Sequence, residues 1–162
     1  MVIFLRNSIL NKISEIFEDR TKSFKFMFIS NSEDDTLNLG YTFANYLKKG
    51  DVITLNGELG SGKTVFVKGV GKFFNIQNEI SSPTFTIVNE YNTEYLNIYH
   101  FDVYRISDVY NFEETVGTDY FSNGICLIEW GEMLDEILPI NTIHIDFKKN
   151  DDNLRSITIW RS

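Results

Sequence analysis

Apolar positions recur along this chain with two periods, and each change of period marks an element. Phe24 to Ser30 reads as a first strand. Asn31 or Ser32 is placed to cap a helix whose first turn is acidic (Glu33, Asp34, Asp35), and Leu37, Tyr41, Ala44 and Leu47 give it one apolar face up to Lys49. Gly50 stops it, and Asp51 to Asn56 is a short strand. Phe66, Val70, Phe73 and Phe74 return at helical spacing. Gly69 and Gly71 oppose that helix, each by about 1 kcal/mol relative to Ala. After a polar linker from Asn75 to Ser82, the runs Thr84 to Tyr91 and Tyr95 to Asp102 flank Asn92-Thr93-Glu94 and predict a hairpin.

The second half continues with a short helix over Ser107 to Val116, closed by Gly117, and a buried strand over Gly124 to Ile128. Met133, Leu134 and Ile137 predict a further short helix before Pro139. Strands over Asn141 to Lys148 and Leu154 to Trp160 end the chain. The expected sheet is mixed, with a parallel core and an antiparallel addition. Residues 1–23 form an N-terminal extension to a single domain over residues 24–162. Ile9, Ile13, Ile16 and Phe17 would make one face of a helix there, packing on the domain or docking on a partner.

Composition narrows the function classes. The chain has 162 residues, 43% of them hydrophobic, enough for one domain with a real core. A net charge of −8 disfavours direct nucleic-acid binding, which depends on neutralising phosphates. The single cysteine, Cys126, excludes an internal disulfide framework and fits a reducing cytoplasm. No apolar run approaches the roughly 20 residues of a membrane span, and the start has no basic stretch before its short apolar run, so neither membrane insertion nor a signal peptide is expected.

The strongest chemical signal is Gly57-Glu58-Leu59-Gly60-Ser61-Gly62-Lys63-Thr64. It fits G-x-x-x-x-G-K-[ST], and it stands between a strand and a helix as a phosphate-binding loop requires. Glycines let the backbone turn its N–H groups inward, and the following helix adds a positive end. Glu58, Gly60, Ser61, Gly62, Lys63 and Thr64 are therefore the candidate nucleotide contacts. Lys63 would lie between the β- and γ-phosphates, and Thr64 would offer its hydroxyl to Mg²⁺.

Hydrolysis also needs acids. Glu129 ends the apolar strand Ile125 to Ile128 and is the candidate metal acid. Asp102 is the candidate catalytic acid, holding metal-bound water or polarising the attacking one, and alternation puts it on the same side of its strand as His100. The competing reading of Asp102 is a salt bridge to Arg105. Ser81, Ser82 and Thr84 offer hydroxyls that would sense the γ-phosphate, with Thr84 the best single candidate. Trp130 lines the nucleotide site, stacks on a partner or packs in the core. His100 and His144 read as structural histidines, and Cys126 as a small core residue. There is no Asn-Lys-x-Asp segment for reading guanine, no basic lid for a phosphate acceptor and no obvious activating arginine.

Four segments in order, Gly57 to Thr64, Ser82-Pro83-Thr84-Phe85-Thr86 with Asn89-Glu90-Tyr91, His100 to Arg105, and Ile128-Glu129-Trp130, are similar to the bacterial TsaE (YjeE-type) ATPases. The resemblance covers roughly Ser30 to Pro139. It implies a P-loop NTPase-like three-layer α/β fold with a mixed, largely parallel central sheet, and slow hydrolysis of Mg-ATP. It also implies a role in making N6-threonylcarbamoyladenosine beside the tRNA anticodon, with TsaD and TsaB as partners and tRNA met only through them. By motif position Lys63, Thr64, Asp102, Glu129 and Trp130 match the family's site residues. Glu58 and Ser61 stand where Asp and Ala are frequent, and Gly131 where Pro or Ala is common. Two other readings stay open from the residues alone: a small-molecule phosphotransferase, and a nucleotide-sensing assembly protein that does not hydrolyse.

Overall fold

The β-branched and aromatic runs do form strands, and they join one seven-stranded sheet in the order β1-β7-β6-β2-β5-β4-β3. The computed structural model describes residues 2–106 and 108–162, with side chains from residue 10 onward. Met1, the Ile9 side chain and the expected helix start at Ser107 lie outside the described residues. The elements run α1 (Val2–Glu18), β1 (Phe24–Ser30), α2 (Glu33–Ala44), β2 (Val52–Asn56), α3 (Lys63–Phe73), β3 (Val88–Asn92), β4 (Asn97–Asp102), α4 (Val109–Thr115), α5 (Tyr120–Asn123), β5 (Ile125–Glu129), a 3₁₀ turn (Gly131–Leu134), β6 (Ile143–Lys149) and β7 (Arg155–Arg161).

The centre of the sheet is parallel: β6 with β2, β2 with β5, and β5 with β4. Antiparallel pairings close both edges, β3 on β4 at one and β7 then β1 at the other. Central parallel strands are covered on both faces, so β5 is buried at every position. Its residues alternate between two cores. Ile125 and Leu127 join Ile53, Leu55, Phe66 and Phe43 on the face covered by α1, α2 and α3. Cys126 and Ile128 join Phe101, Phe112 and Phe121 on the face covered by α4 and α5. This is a three-layer α/β arrangement.

Gly69 is explained by packing rather than by helix propensity. A Cβ there would lie 2.0 Å from the Leu37 carbonyl oxygen, and one on Gly40 would lie 2.2 Å from that of Phe66. The two glycines let α2 and α3 touch backbone to backbone.

α1 packs on the domain. Ile13 and Ile16 are buried in the first core. Phe17 stacks on Tyr46 at 5.7 Å and meets Phe43 edge-on. Arg161 donates to the carbonyls of Asp19 (2.7 Å) and Lys22 (2.9 Å), satisfying acceptors just beyond the end of α1. Arg20 pairs with Asp51 at the start of β2.

Three expected elements differ. The strand foreseen from Thr84 begins only at Val88, because Pro83 to Ile87 is a turn in which the Ile87 N–H donates to the Pro83 carbonyl (2.7 Å). α2 ends at Ala44 rather than Lys49, and its chain tightens into i+3 bonds at Tyr46 and Leu47 (both 3.1 Å). The helix foreseen around Met133 is a single 3₁₀ turn. α5 is four residues long, too short to leave a periodic signal. Among the described residues, no helix is long and apolar enough to cross a membrane.

Candidate phosphate-loop site

The site lies where β2, β4 and β5 end and α3 begins. Between β2 and α3 the chain turns through Gly57 (φ 136°), Gly60 (φ 75°) and Gly62 (φ 110°). Gly57 has no room for a side chain either, since a Cβ would meet the Phe147 carbonyl oxygen at 2.3 Å. Gly62 caps α3 without any side-chain hydrogen bond, leaving the amides of the first turn for an anion. Ser61 is buried and its hydroxyl has no partner among the described residues, while its carbonyl accepts from Arg155 Nε at 3.0 Å. Glu58 reaches Lys63 through its backbone carbonyl, with its side chain exposed.

Lys63 is buried at the mouth of the loop. Its Nζ donates to the carbonyls of Gly57 (2.6 Å) and Glu58 (3.0 Å) and lies 4.2 Å from the centre of the Trp130 ring. Burial pulls the Lys63 pKa below its ordinary value, and Glu129, Glu132, Asp102 and Glu58 oppose that pull. Trp130 is held in the left-handed region (φ 63°), with its N–H donating to the Leu55 carbonyl and Tyr104 against its ring. A bulky residue keeps that backbone only where its surroundings impose it.

The two acids stand on adjacent strands in paired positions, Asp102 on β4 and Glu129 on β5. Both are almost wholly buried. Glu129 Oε1 accepts from the Thr64 hydroxyl at 2.8 Å and is 2.9 Å from His100 Nε2. Asp102 Oδ2 accepts from the hydroxyls of Ser82 and Thr84 (2.9 Å for Thr84), and Oδ1 accepts from the Tyr104 N–H. Arg105 does not pair with Asp102; its guanidinium lies over the Phe85 ring.

The structure therefore brings Lys63, Thr64, Thr84, Asp102, Glu129 and Trp130 together. Sequence reasoning missed two contributors. His100 reads from the sequence as a structural histidine, and its bond to Glu129 depends on the pairing of β4 with β5. Arg155 comes from β7, far along the chain, and no local pattern ties it to the loop. Thr64, Asp102 and Glu129 supply hydroxyl and carboxylate oxygens, the donors that suit Mg²⁺. Among the described residues no three His, Cys, Asp or Glu side chains form a metal cluster. An ion that keeps its waters and shares phosphate oxygens needs only one or two carboxylates. The unpartnered Ser61 hydroxyl and the uncapped first turn of α3 fit the accompanying phosphates.

The model of the family described as "Threonylcarbamoyl adenosine biosynthesis protein TsaE" matches residues 30–157. The Bacillus subtilis (strain 168) protein of that name is 42% identical over 127 residues, covering 77% of this chain and 78% of the relative. The Treponema pallidum (strain Nichols) protein is 39% identical, covering 81% of this chain and 97% of the relative. The crystal structure of Bacillus subtilis YdiB superposes with a TM-score of 0.70 at 33% identity, over 86% of this chain and 87% of that one.

Proposed function

The chain belongs to the TsaE family of tRNA threonylcarbamoyladenosine biosynthesis proteins, and we propose that it serves that modification by binding ATP with Mg²⁺ and hydrolysing it. The observation that carries the reading is the hydrogen bond from Thr64 to Glu129. It ties the phosphate loop to a strand-end carboxylate, and its donor is the hydroxyl beside Lys63. A nest that binds a phosphate alone has no need of that acid.

The roles divide by position. The loop amides and Lys63 take the β- and γ-phosphates. Thr64 and Glu129 would hold Mg²⁺, with Asp102 acting on it through water, and the ion would supply charge neutralisation of the phosphate oxygens. Asp102 orients the attacking water and accepts its proton. Ser82 and Thr84, which already touch Asp102, link the state of the γ-phosphate to the turn before β3. Trp130 walls the site and screens Lys63 from solvent.

TsaD and TsaB are the proposed partners, and tRNA is met only through them in the cytoplasm. The charge of −8 supports that division, because the partners would hold the polyanion. Hydrolysis by the isolated chain is slow: P-loop hydrolases without an arginine finger run as low as about 10⁻⁴ s⁻¹. Calorimetric titration with Mg-ATP tests the binding step. The wild type should bind, and Lys63→Ala should lose most of the affinity. Equal affinity in both proteins would refute the assignment.

A further inference from the structure

His100 is fully buried on β4, one alternation below Asp102. Its Nε2 is 2.9 Å from Glu129 Oε1, and its Nδ1 has no partner among the described residues. A carboxylate only accepts, so Nε2 carries the proton and donates it. Burying a histidine with one nitrogen unsatisfied is costly, since an orphaned polar group forfeits its hydration. The bond it makes is therefore one the fold keeps at a cost.

The geometry of Glu129 supplies the reason. A glutamate has one more side-chain torsion than an aspartate, and that last torsion turns the carboxylate broadly. Thr64 alone would leave the second oxygen free to swing about the Oε1 contact. His100 adds a second, rigid donor to the same oxygen from the neighbouring strand. With Oε1 held by the Thr64 hydroxyl and the imidazole together, Oε2 is the oxygen left for a metal or its water.

We propose that His100 is a positioning residue for the metal site, locking the Glu129 carboxylate through Oε1 so that Thr64 and Glu129 act as one preformed unit. The inference rests on the Mg-nucleotide reading above. Partners that orient metal-binding carboxylates are generally worth about 10- to 100-fold in metal affinity. His100 is fully buried and bonds Glu129, so its effect should be confined to the metal.

The test uses Mn²⁺ as the probe, with its free concentration read by electron paramagnetic resonance during titration of the protein–ADP complex. His100→Leu keeps the bulk and removes the donor; His100→Gln restores an N–H near the place of Nε2. His100→Leu should weaken Mn²⁺ binding about 10-fold or more, leave metal-free ADP affinity within about twofold, and recover in His100→Gln. Mn²⁺ affinity unchanged in His100→Leu, or equally poor in His100→Gln, overturns the positioning role. A wild type that binds no Mn²⁺ with ADP overturns the metal reading itself. Should His100→Leu not fold, ¹⁵N spectra of the wild-type ring decide. A protonated Nε2 whose resonance moves when Mg-ADP is added supports the role, and one that does not move refutes it.

Discussion

Asp102 and Glu129 occupy paired positions on adjacent parallel strands, yet their carboxylates are held by different elements. Glu129 is bonded to the phosphate loop through Thr64, and Asp102 to the turn before β3 through Ser82 and Thr84. Two neighbouring acids anchored to different parts divide the work. Asp102→Asn should bind Mg-ATP within a few-fold of the wild type and lose roughly 10²- to 10⁴-fold in rate, the range for a general base. Single-turnover hydrolysis beside a binding titration separates the two effects. A rate within twofold of the wild type would remove Asp102 from the chemistry.

The Lys63 ammonium on the Trp130 ring gives an optical reporter. A phosphate chain entering the loop draws the ammonium toward itself and away from the indole. In a Trp160→Phe background, Trp130 is the remaining tryptophan. Its emission should change on adding ATP, and the change should vanish in Lys63→Met. Identical responses in both proteins would mean that the cation and the ring do not part.

Gly69 and Gly40 set the spacing of α2 and α3. Gly69→Ala would help an isolated helix, but here its methyl meets backbone at 2.0 Å. We expect a loss of about 1–3 kcal/mol, the usual cost of overpacking, read as a lower midpoint in urea. An unchanged midpoint would show that the helices separate freely.

His144 makes stability depend on pH. Its ring lies beside Thr54 (2.9 Å) and stacks on Trp160 at 4.2 Å. Burial lowers its pKa from the ordinary 6.5, against the opposite pull of Asp135 and Asp146. Just below pH 6.5 the unfolded chain binds the proton and the folded chain does not. Stability from this residue is therefore complete above that pH and is lost as pH falls through the folded value. The melting temperature should drop below about pH 6.5, and less steeply in His144→Gln. Parallel curves for the two proteins would exclude His144.

Local patterns carried much of this site, and pairings carried the rest. Gly57 to Thr64 was legible because a phosphate loop is contiguous and its strand and helix lie on either side. Glu129 was legible as the polar end of the apolar strand Ile125 to Ile128. The bond from His100 to Glu129 and the reach of Arg155 to Ser61 were not, since each joins strands whose neighbourhood only the sheet order sets. Thr84 to Ile87 has the composition of a strand but forms a turn, because Ser82 and Thr84 turn their hydroxyls to Asp102 while the Asp102 N–H takes the Ile87 carbonyl. Gly69 shows the same division: its helix cost is local, and its packing benefit belongs to a helix some thirty residues earlier.

The most direct measurement is phosphate release from Mg-ATP by the purified chain, alone and then with saturating TsaB and TsaD. The account predicts slow release alone, a rise of about 10³-fold or more if the partners supply an arginine finger, and none in Lys63→Ala. Tight ATP binding with no release under either condition would contradict it, and would make the chain a nucleotide sensor rather than an ATPase.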